Sequence, residues 1–509
     1  MELPRAFGVL LHPTSLPGPW GCGVLGREAR DFLDWLAAAG ATFWQVLPLG
    51  PTGFGDSPYQ SFSAFAGNPY LIDPADLVRR GWLPPEPPPP APPDRVDYGL
   101  LYRWKWGLLR RAFAGFLARA DPQEKRDFAR FWEEEKDWLW DYALFMALKG
   151  RFGGRPWNEW PRDLRLRDPP ALAALLEAED ARFHGWTQWV FFRQWGALRE
   201  HVHRQGLRVI GDIPIFVAYD SADVWAHPEL FELDGEGRPT VVAGVPPDYF
   251  SPTGQRWGNP LYRWPAHEAE GFRWWIARVR QTLRLCDLLR IDHFRGFAAY
   301  WEIPAEEPPA VGGRWVPAPG EKLFRRMQAE LGTLPILAED LGVITPDVEE
   351  LRDKFGFPGM RVLQFAFDGK PDNPHLPENF PAHGRVVVYT GTHDNDTARG
   401  WYGSLGEEER VRVRAYLARQ GLAADSEEEV PWTLIVLAFR SRARLAVVPM
   451  QDLLGLGSEA RMNYPSRPAG NWAWRLSALP DPGLAQRLRA LAEETQRART
   501  FDHVAPKAS

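Results

Sequence analysis

Cysteine is scarce in this chain: its 509 residues include two, Cys22 and Cys286, and neither sits in a metal-type pair. Two thiols exclude a disulfide framework, so a reduced, cytoplasmic setting is expected. Long apolar runs are missing as well, and none approaches the roughly 18 residues of a membrane span. The most apolar helical stretch, Trp138 to Leu148, carries Asp141 and spaces Leu139, Tyr142, Ala143 and Met146 for one buried face. The start, Met1-Glu2-Leu3-Pro4-Arg5, has no basic region followed by an apolar stretch, and no signal peptide is expected. Neither sign of charge dominates: the net charge is −6, with acids and bases mixed throughout. That balance points away from nucleic acid and membrane surfaces as partners. No paired histidines stand at ligand spacing, so no metal or other cofactor is expected.

What the chain has is a large core and a regular rhythm. Its composition, 45% hydrophobic and 25% charged, is that of a soluble globular protein. The basic residues are mostly arginine and the prolines number 49, a bias open to two readings, heat adaptation or genomic base composition. Phe7 to Leu11 reads as a strand. The helix after it places Ala29, Phe32, Leu33 and Leu36 on one face and stops at Gly40, and a second strand follows at Ala41 to Leu47. Further strands are expected at Leu207 to Ile213, Leu283 to Ile291, Leu334 to Ala338, Met360 to Phe365, Arg385 to Thr390 and Leu445 to Pro449. Thr345, ahead of Pro346, reads as the cap of one intervening helix. Eight such strands predict an α/β fold, a (β/α)8 TIM barrel with its site at the carboxyl ends of the strands. The competing fold, an open doubly wound sheet, would want a G-x-G-x-x-G turn after the first strand, and none occurs there. One catalytic barrel is thus expected over residues 1–509. A mainly helical subdomain is inserted after the second strand, at about 51–200, and smaller insertions lie in later loops. The proline run from Pro84 to Pro93 reads as a polyproline spacer or surface loop.

Three carboxylates stand just beyond strand ends: Asp292, Glu339 and Asp394. A lone strand-end acid is most simply a loop cap. Three of them, set among Arg, His and Gly, fit glycoside transfer, which needs a nucleophile below the anomeric carbon and a proton donor above the leaving oxygen. Asp292 suits the nucleophile, because Arg290 lies two residues earlier on the same strand face, where its cation would favour the ionised acid. Glu339 suits the acid–base, and Asp394 a third acid gripping sugar hydroxyls. Asp340 should point away from Glu339 and serve structure, holding the turn at Gly342. Trp138, Trp140, Trp186, Trp189 and Trp195 lie on helical stretches and read as core. Tyr59, Tyr249, Phe250 and Trp257 lie in loops and are better candidates for stacking on sugar. The segment 243–260 shows neither helical nor strand period and reads as a lid over the mouth.

At these residues the chain resembles a known family. RIDHFRGF (Arg290 to Phe297), ILAEDLG (Ile336 to Gly342) and THDNDT (Thr392 to Thr397) are similar to the motifs of amylomaltases, the 4-α-glucanotransferases of glycoside hydrolase family 77 in the α-amylase clan. HPTSLPG (His12 to Gly18), GDSPYQ (Gly55 to Gln60), GDIPIFV (Gly211 to Val217) and GVPPDYF (Gly244 to Phe250) agree. The resemblance implies a retaining transferase with Asp292 as nucleophile, Glu339 as acid–base and Asp394 as transition-state stabiliser. It further implies sugar binding by Arg290, His393, Tyr59 and Asp212, and a mouth lined from the last strand's loop by Asn463 and Pro465. The implied partners are α-1,4-glucans, maltooligosaccharides and glucose, handled by a monomer without a metal, with cyclic glucans as a further product. Two rivals stand beside it: a glucan hydrolase of the α-amylase type, and a non-catalytic glucan-binding protein, which would have no need to keep all three acids.

Overall fold

In the computed structural model, residues 2–248, 251–308 and 310–500 are described. Twelve strands occur among them: β1 (Ala6–Leu10), β2 (Phe43–Gln45), β3 (Arg208–Pro214), β4 (Val241–Val245), β5 (Gln255–Pro260), β6 (Leu288–Asp292), β7 (Ala299–Pro304), β8 (Arg314–Pro317), β9 (Ile336–Ala338), β10 (Gly359–Val362), β11 (Val386–Tyr389) and β12 (Leu445–Pro449). Eight are parallel neighbours in the order β10-β11-β12-β1-β2-β3-β6-β9. The ring closes between its ends: Ala338 N–H donates to the Pro358 carbonyl at 2.9 Å, and Met360 N–H donates to the Asp340 carboxylate at 2.8 Å. Asp340 therefore does not hold the Gly342 turn. It faces away from Glu339, as its parity requires, and joins β10 and Arg352 (2.6 Å) to the end of β9.

Strand parity decides what enters the barrel. Ala6, Leu10, Phe43, Ile210, Leu288, Leu337, Val387, Tyr389, Leu445 and Val447 belong to one buried cluster. Their immediate neighbours Phe7, Val9, Trp44, Val209, Leu289, Ile336, Val388 and Ala446 pack into the larger cluster under the helices. Side chains alternate along a strand, so the set continuing Leu288 is Arg290 and Asp292, the one continuing Ile210 is Asp212, and the one continuing Leu337 is Glu339. Apolar layers fill the barrel's base, and the same registers deliver charge at its mouth. Gly8 falls on the inward set too; a Cβ there would lie 2.8 Å from the Phe43 Cβ, so a side chain would push β1 off β2.

The first helix, Arg27–Ala38, buries Ala29, Phe32, Leu33 and Leu36 and ends in a Schellman turn. Gly40 takes φ +81°, with Gly40 N–H to the Ala37 carbonyl and Ala41 N–H to the Leu36 carbonyl. Between β2 and β3 run the helices Tyr98–Arg119, Pro122–Glu134, Lys136–Arg151 and Glu179–Arg204. Trp186, Trp189 and Trp195 are core residues there, and Trp138 and Trp140 are partly buried against the same core. No helix among the described residues is long and apolar enough to cross a membrane.

Four local expectations are corrected. The strand expected from Leu283 starts only at Leu288, because a helix runs through Leu283 and the Asp287 carboxylate then turns inward to accept Val209 N–H at 2.9 Å. The strand expected to Phe365 ends at Val362, where a 3-10 turn begins. About half of the segment 243–260 is strand: β4 pairs with β5 and β7, and β7 with β8, in an antiparallel sheet. A register shift between Val242 and Gly244 and the prolines around it hide the two-residue period. The Thr345 hydroxyl, for its part, donates to the Asp347 carboxylate and not to a backbone N–H of its helix.

Candidate active site

Arg290 is the hub of the mouth. Its Nη1 donates to both Asp212 oxygens at 2.9 and 2.8 Å, and its Nη2 donates to Asp292 Oδ1 at 3.0 Å. Arg290 and Asp212 are buried, whereas the Asp292 side chain keeps 32% of its exposure and so remains reachable from the cleft. Tyr59 donates its hydroxyl to Asp212 at 2.6 Å and stacks its ring on His393, with centroids 5.1 Å apart. Burial pushes the Asp212 carboxyl up, to about 6, with Arg290 limiting the rise. The Arg290 guanidinium is raised well above its ordinary value, because Asp212 and Asp292 outweigh its burial.

Glu339 is held by backbone alone. Its Oε2 accepts His293 N–H at 2.7 Å and its Oε1 accepts Leu341 N–H at 2.8 Å. Burial, reinforced by the negative charge of Asp292, pushes its carboxyl up to about 8 against the pull of Arg290 and those two bonds. Asp394 goes the other way. Burial would raise it, but His393 at 3.3 Å and the Asn463 amide at 2.7 Å hold it far below the usual carboxylate range. The site thus contains two acids in opposite protonation states at neutral pH, the condition for acid and electrostatic roles side by side.

His293, Trp472 and Gln45 were not anticipated from the sequence. His293 takes φ +55°, and that turn aims its N–H at Glu339. Its ring, kept neutral by burial, meets Trp257 edge to face at 4.7 Å. Trp472, also at positive φ, packs 5.7 Å from Tyr59. Gln45 lies beneath the site and accepts the Tyr389 hydroxyl at 2.7 Å. The only available signal was proximity to Asp292 for His293, and inward parity for Gln45. The structure brings together Tyr59, Asp212, Arg290, Asp292, Glu339, His393, Asp394 and Asn463, with Trp257 reaching them through His293. Tyr249 and Phe250 lie outside the described residues. A cleft of 590 Å³ is walled by Phe54, Phe62, Trp257, Asn463, Pro465 and Trp472. Among the described residues no group of three or more His, Cys, Asp or Glu could hold a metal ion.

Residues 11–480 match the family model described as 4-alpha-glucanotransferase. The chain belongs to the 4-alpha-glucanotransferase family. It is 66% identical over 502 residues to the 4-alpha-glucanotransferase of Thermus thermophilus, covering 98% of this chain and 100% of that one. It is 49% identical over 478 residues to that of Synechocystis sp., covering 92% and 94%. Its fold is similar to an amylomaltase from Streptococcus agalactiae in complex with acarbose, with TM-score 0.92, 39% identity, and coverage of 97% and 100%. The chain is accordingly a transferase of carbohydrate metabolism, a 4-α-glucanotransferase on a TIM barrel with insertions. The hydrolase and scaffold rivals fall with that assignment.

Proposed function

We propose that transfer runs by a retaining double displacement, with Asp292 as nucleophile, Glu339 as acid–base and Asp394 as stabiliser. The observation that carries this reading is the geometry of the mouth: Asp292, held by Arg290 at 3.0 Å and open to the cleft, stands beside a Glu339 whose carboxyl burial pushes up to about 8. In the first step an Asp292 oxygen attacks the anomeric carbon, the glycosidic C–O bond breaks, and Glu339 gives its proton to the departing 4-oxygen. Asp292 is then esterified and uncharged, so one cause of the high Glu339 pKa disappears and the new carboxylate becomes a base. An acceptor 4-hydroxyl loses its proton to Glu339 and attacks the anomeric carbon, Asp292 leaves, and the α-configuration is restored. Asp394, fixed by His393 and Asn463, offers its free charge to the sugar as positive charge builds in the ring. Arg290, Asp212 and Tyr59 hold the nucleophile and shape the floor of the sugar site, and Asn463 and Pro465 wall the acceptor path.

The substrates of this reading are α-1,4-linked maltooligosaccharides and longer glucans, with glucose as an acceptor and cyclic glucans wherever a donor's own non-reducing end returns. The enzyme is taken to act as a monomer, in the cytoplasm and without a metal. The barrel is taken as one catalytic unit over 1–509, with the insertion of about 51–200 and the lid of 243–260 forming the walls of its cleft. The test is a product profile from maltotriose alone. A ladder of longer oligosaccharides with little gain in reducing ends is expected. A steady rise toward maltose and glucose would reject transfer to sugar acceptors in preference to water, the outcome the lid is proposed to secure.

A further inference from the structure

A second aromatic surface stands on the antiparallel sheet beside the mouth. Trp315, on edge strand β8, keeps 41% exposure although its ring is engaged twice. The Arg295 guanidinium rests on it at 4.0 Å, and Trp301 meets it edge to face at 5.3 Å. Arg295 also donates to the Val343 carbonyl at 2.7 Å, and Val343 is 67% exposed. Trp301 donates its Nε1 to the Ala310 carbonyl at 2.9 Å, beside Val311, which is 58% exposed. One chain of contacts therefore joins three exposed large apolar residues to Arg295 and Trp301. These are not isolated surface residues of the kind that need no explanation.

The surface is continuous with the catalytic machinery on both sides. Arg295 stands two residues after His293, whose N–H holds Glu339. Val343 stands four residues after Glu339, a reach of at most about 14 Å of chain. Arg295 thus clamps the loop beyond the acid–base to the sheet that carries Trp315. An indole braced by a cation and by a second indole, with 41% of the residue still exposed, is a rigid platform for the apolar face of a pyranose ring.

We propose that Trp315, with Val343, forms an accessory binding site for the α-glucan chain, engaged by long glucans and out of use with short ones. The proposal rests on the assignment of Glu339 to the reacting centre. The test compares wild type, Trp315→Ala and Trp315→Phe on maltotriose and on long amylose, with amylose affinity measured separately in Asp292→Asn and in Asp292→Asn/Trp315→Ala. Expected are an unchanged kcat/KM for maltotriose in Trp315→Ala, a roughly five- to tenfold loss of kcat/KM for amylose, and substantial recovery in Trp315→Phe. Amylose affinity should fall by a similar factor between the two inactive proteins. Equal losses on both substrates, or equal amylose affinities with and without the indole, would overturn the site. Failure of the catalytic assignment would show differently, as retained maltotriose turnover in Asp292→Asn.

Discussion

At the barrel mouth charged side chains are fixed from two or more directions: Arg290 by Asp212 and Asp292, Glu339 by two backbone N–H groups, Asp394 by His393 and Asn463. On the antiparallel sheet the functional candidates are aromatic rings held mainly by ring contacts. Trp257 leans edge-on against His293, and Trp315 rests on Arg295 with much of its ring exposed. The mouth stabilises developing charge, which requires dipoles already in place before the reaction. The sheet is proposed to handle long, repetitive sugar chains and to keep water from the intermediate, for which aromatic surface suffices. Chemistry and chain handling are therefore separable in this enzyme, and substitutions should divide along that line.

Asp292→Asn should break the mouth most severely. Turnover of maltotriose should fall by about 10⁴-fold or more with the fold intact, as glucose release and circular dichroism would report. Glu339→Gln should cost about 10²–10⁴-fold on natural glucans. It should cost far less in the first, fluoride-releasing step with a maltosyl fluoride donor, whose leaving group needs no proton; equal losses in that step and on natural glucans would remove the acid role. The wild-type kcat/KM profile should lose activity on its alkaline side near pH 8, where Glu339 gives up its proton. The same carboxyl predicts a stability effect. Its folded pKa lies above its unfolded value of 4.5, so the protonated form favours folding below pH 4.5 and that contribution is lost as pH rises toward 8. The melting temperature of Glu339→Gln relative to wild type should accordingly climb between pH 4.5 and 8, and a flat difference would contradict the assigned shift.

Asp212→Asn sharpens the comparison from the structural side. It strips the bidentate partner from a buried guanidinium that retains Asp292, so a loss of about 3 kcal/mol is expected in denaturant unfolding, together with reduced turnover. The smallest effect belongs to the sheet. Trp257→Ala should leave glycosyl transfer to Asp292 largely intact and shift the partition toward water by roughly fivefold, the worth of about 1 kcal/mol of aromatic contact. Reducing-end release measured against disproportionation from maltotriose would register it, and an unchanged ratio would remove the lid from the account.

The same division separates what the sequence made legible from what it hid. The barrel strands could be read because burial on both faces writes them as apolar runs such as Val386 to Tyr389 and Leu445 to Val448. The three acids could be read because each stands at the end of such a run. Strand limits were less legible: Leu283 to Leu285 is as apolar as β6 yet closes a helix. The strand residues of β4 and β5 within 243–260 were misread as loop because glycine, proline and a register shift erase their alternation. Roles fixed by distant partners were hidden altogether. Nothing local marks Asp340 as the clasp that closes the barrel, or the positive φ of His293 as the device that orients Glu339. Tyr59 was legible as an aromatic residue in a loop, whereas His393 and Asn463 were named through the family resemblance; their own surroundings in the sequence gave no period or spacing to mark them.

The most direct test traps the intermediate. Glu339→Gln incubated with a maltosyl fluoride should accumulate a covalent maltosyl adduct, because the first step no longer needs an acid and the second has lost its base. Peptide mass mapping should then find the added mass on the peptide containing Asp292. An adduct on any other residue, or turnover of the fluoride with none formed, would contradict the double displacement through Asp292.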